Sequence, residues 1–447
     1  MNIKQAKQEI TNTLKAYLAK DQLGNYLIPT VRQRPVLLMG PPGVGKTQIM
    51  EQIAAETGVG LVAYTITHHT RQSAIGLPFI EKRTYGGEEV SVTEYTMSEI
   101  LSSVYRLMER TGLQEGILFL DEINCVSETL APMMLQFLQC KTFGNQALPE
   151  GWLIVAAGNP PEYNKSVRDF DVVTLDRVKR IDVEEDYGVW KEYARRKNLH
   201  GAILSYLDIK KDNFYRIENT ADGLQFATAR GWEDLSELLY AYETLGIRAD
   251  REVVGQYIQM PRIAKDFANY LEMFYKYQKT YHVEGILSGT WENITVLELR
   301  EAPFDEKLSV MGLVLSRLSE EARNTRCQDA LTDALHTSLT EFREKIADAP
   351  PLTVLDQLLW KRRTAMKQAK EAGQLDKESR DLKQREINAL EDYRQRLDRE
   401  AVAPEGAMDA VRGWFGEEVE RRKAVAMETK DMFDNAFRFL ETTFGDS

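Results

Sequence analysis

The stretch Gly40-Pro41-Pro42-Gly43-Val44-Gly45-Lys46-Thr47 decides the fold of this chain. Its spacing, G-x-x-x-x-G-K-[ST], is that of a phosphate-binding loop between a strand and a helix. The flanks fit, because Pro35–Met39 is short and apolar and Lys46–Glu56 has helical character. Glycines let backbone N–H groups approach phosphate oxygens, and the helix start adds donors and the positive end of a dipole. We therefore predict that the stretch binds nucleotide phosphates, with Lys46 facing the β- and γ-phosphates and Thr47 offering its hydroxyl to Mg²⁺.

A second motif, Ile117-Leu-Phe-Leu-Asp121-Glu122, is an apolar strand that ends in two carboxylates. In a parallel sheet, this strand end lies at the same edge as the phosphate-binding loop. There Asp121 is expected to hold Mg²⁺, directly or through water. Glu122 is expected to orient the attacking water and to accept its proton.

Short apolar stretches alternate with helical ones through residues 28–185, which predicts an α/β module with a mainly parallel sheet. An amphipathic helix is expected within residues 1–27. The predicted strands are Pro35–Met39, Leu61–Thr65, Ile117–Asp121, Trp152–Ala157 and Arg180–Val183, and the predicted helices are Lys46–Glu56, Met97–Glu109 and Thr129–Leu138.

Helices dominate after residue 185, where the strand signal fades. We predict a helical lid at residues 186–285 and an all-α C-terminal domain at residues 286–447. Within it, residues 361–400 carry 12 basic and 9 acidic side chains, a balance typical of a solvated helical arm. The arm is expected to be a helical hairpin that turns near Ala372-Gly373-Gln374, projects from the domain and contacts a partner or an adjacent subunit. The alternative is a solvated surface helix without a partner.

The composition narrows the class of protein. A net charge of −12 disfavours nucleic-acid binding, which relies on basic surfaces, and favours protein partners. The longest apolar runs fall well short of the roughly 18–20 residues that span a bilayer. Three scattered cysteines and five histidines without a ligand motif indicate neither disulfides nor a zinc site. These features are typical of a cytoplasmic protein.

From about residue 30 to residue 300 the chain resembles an AAA+ ATPase of the MoxR-like and dynein-related branch. Beyond the two motifs above, Val155-Ala-Ala-Gly158-Asn159-Pro160-Pro161-Glu-Tyr163-Asn164 resembles the sensor 1 strand of that branch. The resemblance implies that Asn159 helps Glu122 to position the lytic water and responds to the γ-phosphate.

Two arginine segments extend the resemblance. Leu175-Asp176-Arg177-Val178 is similar to the segment that carries the arginine finger, which reaches the nucleotide of a neighbouring subunit. Val178 replaces the usual aromatic residue, so the finger is open between Arg177, which we favour, and Arg180. The segment around Arg230 is similar to sensor 2, where an arginine at a helix start touches the γ-phosphate. Ala229 replaces the usual proline, which predicts a less sharply defined helix start.

The resemblance also implies the assembly and the partners. It implies a ring, expected to be a hexamer, that hydrolyses ATP with Mg²⁺ and remodels a protein client, often with a partner bearing a von Willebrand factor A domain. Gly76–Thr96 resembles an insert that lines the central pore, and Phe143–Pro149 occupies the place of a second pore-side hairpin. Cys125 stands where many relatives carry an arginine that contacts a neighbouring subunit. A nucleic-acid-acting motor and a slow nucleotide-dependent switch remain alternatives.

The candidate residues are therefore Glu122, Asn159 and Arg177 for catalysis, Gly40, Pro41, Pro42, Gly43, Val44, Gly45, Lys46, Thr47 and Arg230 for nucleotide binding, and Thr47 and Asp121 for the metal.

Overall fold

The computed structural model describes residues 1–68, 76–86, 88–143, 146–163, 170–220, 223–373, 375 and 377–445, with only the backbone given for His68 and Lys377. The chain divides into two compact units. The first comprises Met1–Asp186 and Ala365–Ser379, and the second comprises Tyr187–Thr364 and Arg380–Ser447.

The first unit holds the predicted α/β module. Its helices are α1 (Ile3–Leu18), α2 (Lys46–Thr57), α3 (Glu99–Thr111), α4 (Ala131–Cys140) and α5 (Val172–Leu175), and its strands are β1 (Val36–Met39), β2 (Gly60–Thr65), β3 (Pro78–Tyr85), β4 (Glu88–Tyr95), β5 (Gly116–Asp121), β6 (Thr142–Phe143), β7 (Gln146–Ala147), β8 (Trp152–Gly158) and β9 (Lys179–Asp182). Short 3₁₀ turns lie at Thr30–Arg32 and Ile66–His68.

Among the described residues, five strands form one parallel sheet in the order β2-β5-β8-β1-β9. The central strands are apolar throughout, and every residue of β1 and β8 is buried. Such continuous apolar runs are typical of parallel strands that are covered on both faces. The predicted parallel α/β sheet is confirmed.

Helices cover both faces of this sheet. On one face α1 and α2 pack, through Ile10 and Ile53, against alternate strand residues such as Val36. On the other face α3 and α4 pack against the residues that point the opposite way. This alternation follows from the two-residue repeat of a strand, and it leaves the strand ends open as the place for a site.

Two antiparallel hairpins interrupt the module. β3 and β4 pair from Pro78–Tyr95 to Tyr85–Glu88, and nearly all of their residues are exposed. They lie within the predicted pore insert Gly76–Thr96, of which Gly87 is outside the described residues. β6 and β7 pair over two residues each and overlap the predicted second hairpin at 143–149, of which residues 144 and 145 are outside the described residues.

The second unit is mainly helical. Its helices are α6 (Tyr187–Arg196), α7 (Gly201–Ile209), α8 (Ala229–Leu245), α9 (Arg251–Tyr257), α10 (Pro261–Thr280), α11 (Val283–Ser288), α12 (Asn293–Glu301), α13 (Phe304–Lys345), α14 (Pro351–Glu371), α15 (Lys377–Arg399) and α16 (Ala407–Phe444), although the tips of α14 and α15 belong to the first unit. Further 3₁₀ turns lie at Lys211–Asn213 and Pro404–Gly406. A two-stranded antiparallel sheet of β10 (Arg216–Thr220) and β11 (Gly223–Ala227) was not expected, because its short strands carry polar residues that hide the apolar alternation.

The predicted projecting arm is wrong in one respect. Helices α14 and α15 lie on either side of a turn near residue 372, but the tip of this hairpin groups with the α/β module of its own chain. Ile387, Leu390 and Leu397 are buried. They recur every three to seven residues, so a narrow apolar stripe is buried within a helix that is polar overall.

The structure contains no helix, among the residues it describes, with the length and apolar character needed to cross a membrane.

Candidate nucleotide-binding and hydrolysis site

Polar side chains converge at the carboxyl edge of the parallel sheet. The phosphate-binding loop follows β1, Asn159 follows β8, Asp121 ends β5, and Thr67 lies in the 3₁₀ turn after β2. These four strands are neighbours in the order β2-β5-β8-β1. Parallel strands end at one edge, so the topology alone brings the four segments together.

The conformation of the phosphate-binding loop requires its glycines. Gly43 and Gly45 have φ values of +78° and +92°, a region that side chains other than glycine seldom adopt. At Gly40 a Cβ would lie 2.9 Å from the carbonyl oxygen of Val183. The loop can therefore turn tightly into α2, which begins at Lys46.

Lys46 is the buried cation of the site, with 8% of its surface exposed. Its Nζ donates to the carbonyl oxygens of Gly40 and Pro41, both at 2.8 Å, and to Oδ1 of Asn159 at 2.9 Å. The ammonium thus lies against the loop, where a positive charge attracts phosphate.

Thr47 and Asp121 form the candidate metal position. Oγ1 of Thr47 donates to Oδ2 of Asp121 over 3.0 Å. Both are hard oxygen donors, and Mg²⁺ is commonly held by one or two such groups together with substrate phosphates. The pair fits Mg²⁺ in chemistry and in position beside Lys46.

Glu122 is held by a residue that the motif analysis missed. Oγ1 of Thr67 donates to Oε2 of Glu122 over 2.8 Å. Glu122 also has a left-handed backbone, with φ of +57°, and its N–H donates to Oδ1 of Asp121 at 2.9 Å. No motif marks Thr67, and the available signal was a hydroxyl immediately after the second strand.

Asn159 is fixed from behind by Asn124, a buried side chain that follows β5. Nδ2 of Asn124 donates to the carbonyl of Asn159 at 2.7 Å, and Oδ1 accepts from its N–H at 3.3 Å. A Cβ on Gly158 would lie 2.7 Å from the same Oδ1, so this contact needs glycine there. Asn164, at the end of the predicted sensor segment, is outside the described residues.

The two finger candidates differ in their partners. The Arg177 side chain donates to the neutral amide of Gln139 on α4. It also contributes, after hydrogen bonds from Thr174, to lowering the pKa of Asp171. Arg180 lies on the edge strand β9, where its Nε donates to both carboxylate oxygens of Asp182 at 2.9 and 3.1 Å. Of these two exposed arginines, Arg180 is chelated by a carboxylate, whereas the hydrogen bond of Arg177 among the described residues is to an amide.

Arg230 lies in the second unit, at the second residue of α8. Thr228 caps this helix by accepting from the N–H of Gly231 at 3.3 Å. The helix start is therefore well defined without proline, contrary to the expectation from Ala229. The predicted role of Arg230 stays a prediction.

A family model matches the part of the chain that contains most of these residues. Residues 35–178 match the model of the AAA domain, dynein-related subfamily. The matched part of the chain contains the phosphate-binding loop, Thr67, Glu122, Asn159 and Arg177, whereas Arg180 and Arg230 lie outside the matched residues.

A solved structure from Cytophaga hutchinsonii, described as a "putative ATPase", is similar at 17% identity and a TM-score of 0.24. The similarity covers 41% of this chain and 52% of that one, so this chain spans about half the length of that structure. No curated protein matches the sequence.

Proposed function

We propose that this protein is an ATPase of the AAA+ type, in the MoxR-like and dynein-related branch, that uses ATP hydrolysis to remodel a protein partner. The observation that supports this proposal is the convergence of Lys46, the Thr47–Asp121 pair, Glu122 and Asn159 at one sheet edge. The AAA domain match over residues 35–178 supports the same assignment.

Each group has a defined task. The N–H groups of the loop and Lys46 bind the phosphates, and Thr47 with Asp121 holds Mg²⁺. When bound, Mg²⁺ neutralises phosphate charge. Glu122 accepts the proton of the attacking water, and Asn159 orients that water. Phosphoryl transfer depends on such positioning and charge stabilisation rather than on covalent chemistry by the protein.

A ring of subunits completes the proposal. An arginine finger stabilises charge that develops in the transition state of a neighbouring site. Arg177 suits this task better than Arg180, because its side chain donates to the neutral amide of Gln139, which gives up the guanidinium at little electrostatic cost. The expected assembly is a hexamer.

The β3–β4 hairpin is the proposed surface for the client. It carries exposed apolar side chains, among them Phe79, Ile80 and Tyr85, between charged ones. Exposed apolar groups in such a setting mark interaction sites. A protein with a von Willebrand factor A domain is the proposed partner in this work.

A slow nucleotide-dependent switch is the second candidate, and one observation favours it. In the described state Thr67 occupies one carboxylate oxygen of Glu122, so the proposed base is engaged by the protein itself. Such a protein would bind ATP tightly and turn it over slowly.

Steady-state release of phosphate tests the proposal. The wild-type chain should hydrolyse ATP only with Mg²⁺, and Lys46→Ala should lose activity through weaker nucleotide binding. Tight ATP binding with negligible turnover would favour the switch. Strong stimulation by DNA, lost at high salt, would favour a nucleic-acid motor instead.

A further inference from the structure

The tip of the α14–α15 hairpin rests on the ATPase module. Residues Ala365–Ser379 lie about 180 residues or more beyond the rest of the first unit in sequence, yet they belong to it. Nucleotide binding does not explain why the tip packs with the first unit, because none of the site residues described above lies in the tip.

Two contacts and one buried residue mark the seat of the tip on the first unit. The N–H of Leu61, in the edge strand β2, donates to the carbonyl oxygen of Ala372 over 3.3 Å. Arg110, near the end of α3, pairs with Glu371 at 2.8 Å. Ala372 is buried, with 2% of its surface exposed.

The backbone conformation of the turn allows it to lie close to β2. Gly373 has a φ of +69°, which places the backbone of the turn in the left-handed region. A Cβ on Gly373 would lie 3.5 Å from Cβ of Leu61. The tip thus approaches β2 through backbone and small residues, as close contact with a strand edge requires.

These contacts are suited to release. An edge strand exposes backbone groups that readily accept another segment. The hydrogen bond between Leu61 and Ala372 is long, and the arginine side chain of the Arg110–Glu371 pair is 57% exposed. Exposed ion pairs contribute little to stability, so this pair can open at little cost in free energy.

The strand under the tip leads to the catalytic carboxylate. β2 runs from Gly60 to Thr65, and the 3₁₀ turn Ile66–His68 follows it directly. That turn carries Thr67, whose hydroxyl holds Glu122. A shift at the start of β2 would therefore be transmitted along this short strand to Thr67, and from Thr67 to Glu122.

We propose that the hairpin tip is an intramolecular latch on β2. Docked, the latch keeps Thr67 engaged with Glu122 and restrains hydrolysis; released, it frees Glu122. This inference rests on the proposed ATPase function. Because α14 and α15 continue into the second unit, whatever binds those helices can reach the catalytic edge through the tip.

A disulfide tests the latch within one protein. The 3.5 Å separation of the two Cβ positions suits a disulfide, for which about 3.5–4.5 Å is needed. We expect Leu61→Cys/Gly373→Cys, in a Cys140→Ser background that removes an exposed native thiol, to crosslink on oxidation. The oxidised protein should hydrolyse ATP about tenfold more slowly than the same sample after reduction, as expected if the base loses one hydrogen bond to a charged group on release.

The reduced sample is the matched control, since it carries the same substitutions and the same strain at Gly373. Oxidised Gly373→Cys alone should show no such difference. Equal rates, or a faster crosslinked protein, would overturn the latch. Failure of the two thiols to join would contradict the docked position of the tip.

Charge reversal offers an independent test. Arg110→Glu should repel Glu371, undock the tip and raise turnover, and Arg110→Glu/Glu371→Arg should restore the pair and the wild-type rate. No rescue by the double variant would contradict the role of the ion pair.

Hydrogen exchange separates this inference from the proposed function. Without nucleotide, Arg110→Glu should speed backbone exchange through residues 60–68, and the double variant should slow it again. If no form of the protein hydrolysed ATP, the proposed function would be wrong. The exchange rates would still show whether the tip docks on β2. Unchanged exchange in Arg110→Glu would overturn it.

Discussion

At the scale of single residues, the contact between Thr67 and Glu122 sets the state of the proposed base. The Thr67 hydroxyl donates to Oε2 of Glu122, one of the two oxygens that could accept the proton of the attacking water. Thr67→Val keeps the shape of the side chain and removes the donor. We expect basal ATP turnover to rise by about tenfold with nucleotide affinity unchanged. A fall in turnover at unchanged affinity would show instead that Thr67 positions Glu122 for catalysis.

Lys141 is a second informative residue, although it lies outside the site. It ends α4 in a left-handed conformation, and its Nζ donates to the carbonyl of Thr30 at 3.0 Å. Burial lowers the pKa of Lys141 from its ordinary value to about 8. Between pH 8 and about 10.4, the usual lysine pKa, the unfolded state binds more protons than the folded state. The contribution of Lys141 to the free energy of unfolding therefore rises with pH in this window.

Lys141→Met should remove this pH dependence. We expect the wild type to gain stability relative to the variant by up to about 1.4 kcal/mol per pH unit between pH 8 and 10. Urea unfolding of both proteins across that range, followed by far-ultraviolet circular dichroism, measures the difference. Titrating tyrosines affect both proteins alike. A constant difference between them would contradict the lowered pKa.

At the scale of elements, the strands were the most predictable part of the chain. The predicted Leu61–Thr65 is observed as Gly60–Thr65, and Trp152–Ala157 as Trp152–Gly158. Their apolar runs are bounded by glycine, by acidic residues or by the phosphate-binding loop, which is why their ends were predicted closely. The convergence of Asp121 and Asn159 with the loop followed from parallel topology.

Other elements lacked such a signal. The hairpin of β10 and β11 is short and largely polar, so its sequence lacks the alternation of apolar and polar residues that predicts a strand. The return of the tip depends on backbone groups of Leu61 and Ala372, which are independent of residue type. Contacts of this kind leave no pattern in a single sequence.

The α14–α15 hairpin is anchored by an ion pair between a half-buried arginine and a buried carboxylate. Nε of Arg362 lies 2.9 Å from Oε1 of Glu386, which also accepts from Ser338 at 2.6 Å. Glu386 is almost fully buried. Arg362→Met should leave this carboxylate without its counter-charge and lower the free energy of unfolding of the second unit by about 3 kcal/mol.

Arg362→Met/Glu386→Leu should regain most of that loss, because neither charge then remains buried. Urea unfolding of the wild type, both single variants and the double variant completes the cycle. A double variant no more stable than Arg362→Met would contradict the account of this anchor.

At the scale of the whole molecule, the proposed site is completed by a neighbouring subunit. Arg177→Ala should leave nucleotide affinity nearly intact and cut turnover, because its proposed contact forms in the transition state of a neighbour. Mixing Arg177→Ala with Lys46→Ala subunits should recover activity, since each supplies what the other lacks. Native mass spectrometry establishes that the rings are mixed. No recovery in mixed rings would favour Arg180, or a site that acts within one subunit.

The central claim is that Glu122 is the base of an ATP-hydrolysing site built at the sheet edge. Glu122→Gln keeps the size of the side chain and removes its capacity to take a proton, which costs roughly 100-fold or more in rate. The most direct measurement is ATP turnover together with retained nucleotide for this variant and the wild type. We predict that Glu122→Gln binds Mg²⁺ and ATP normally, retains unhydrolysed ATP and loses nearly all turnover. Near-normal turnover in a variant that still binds ATP would contradict the account.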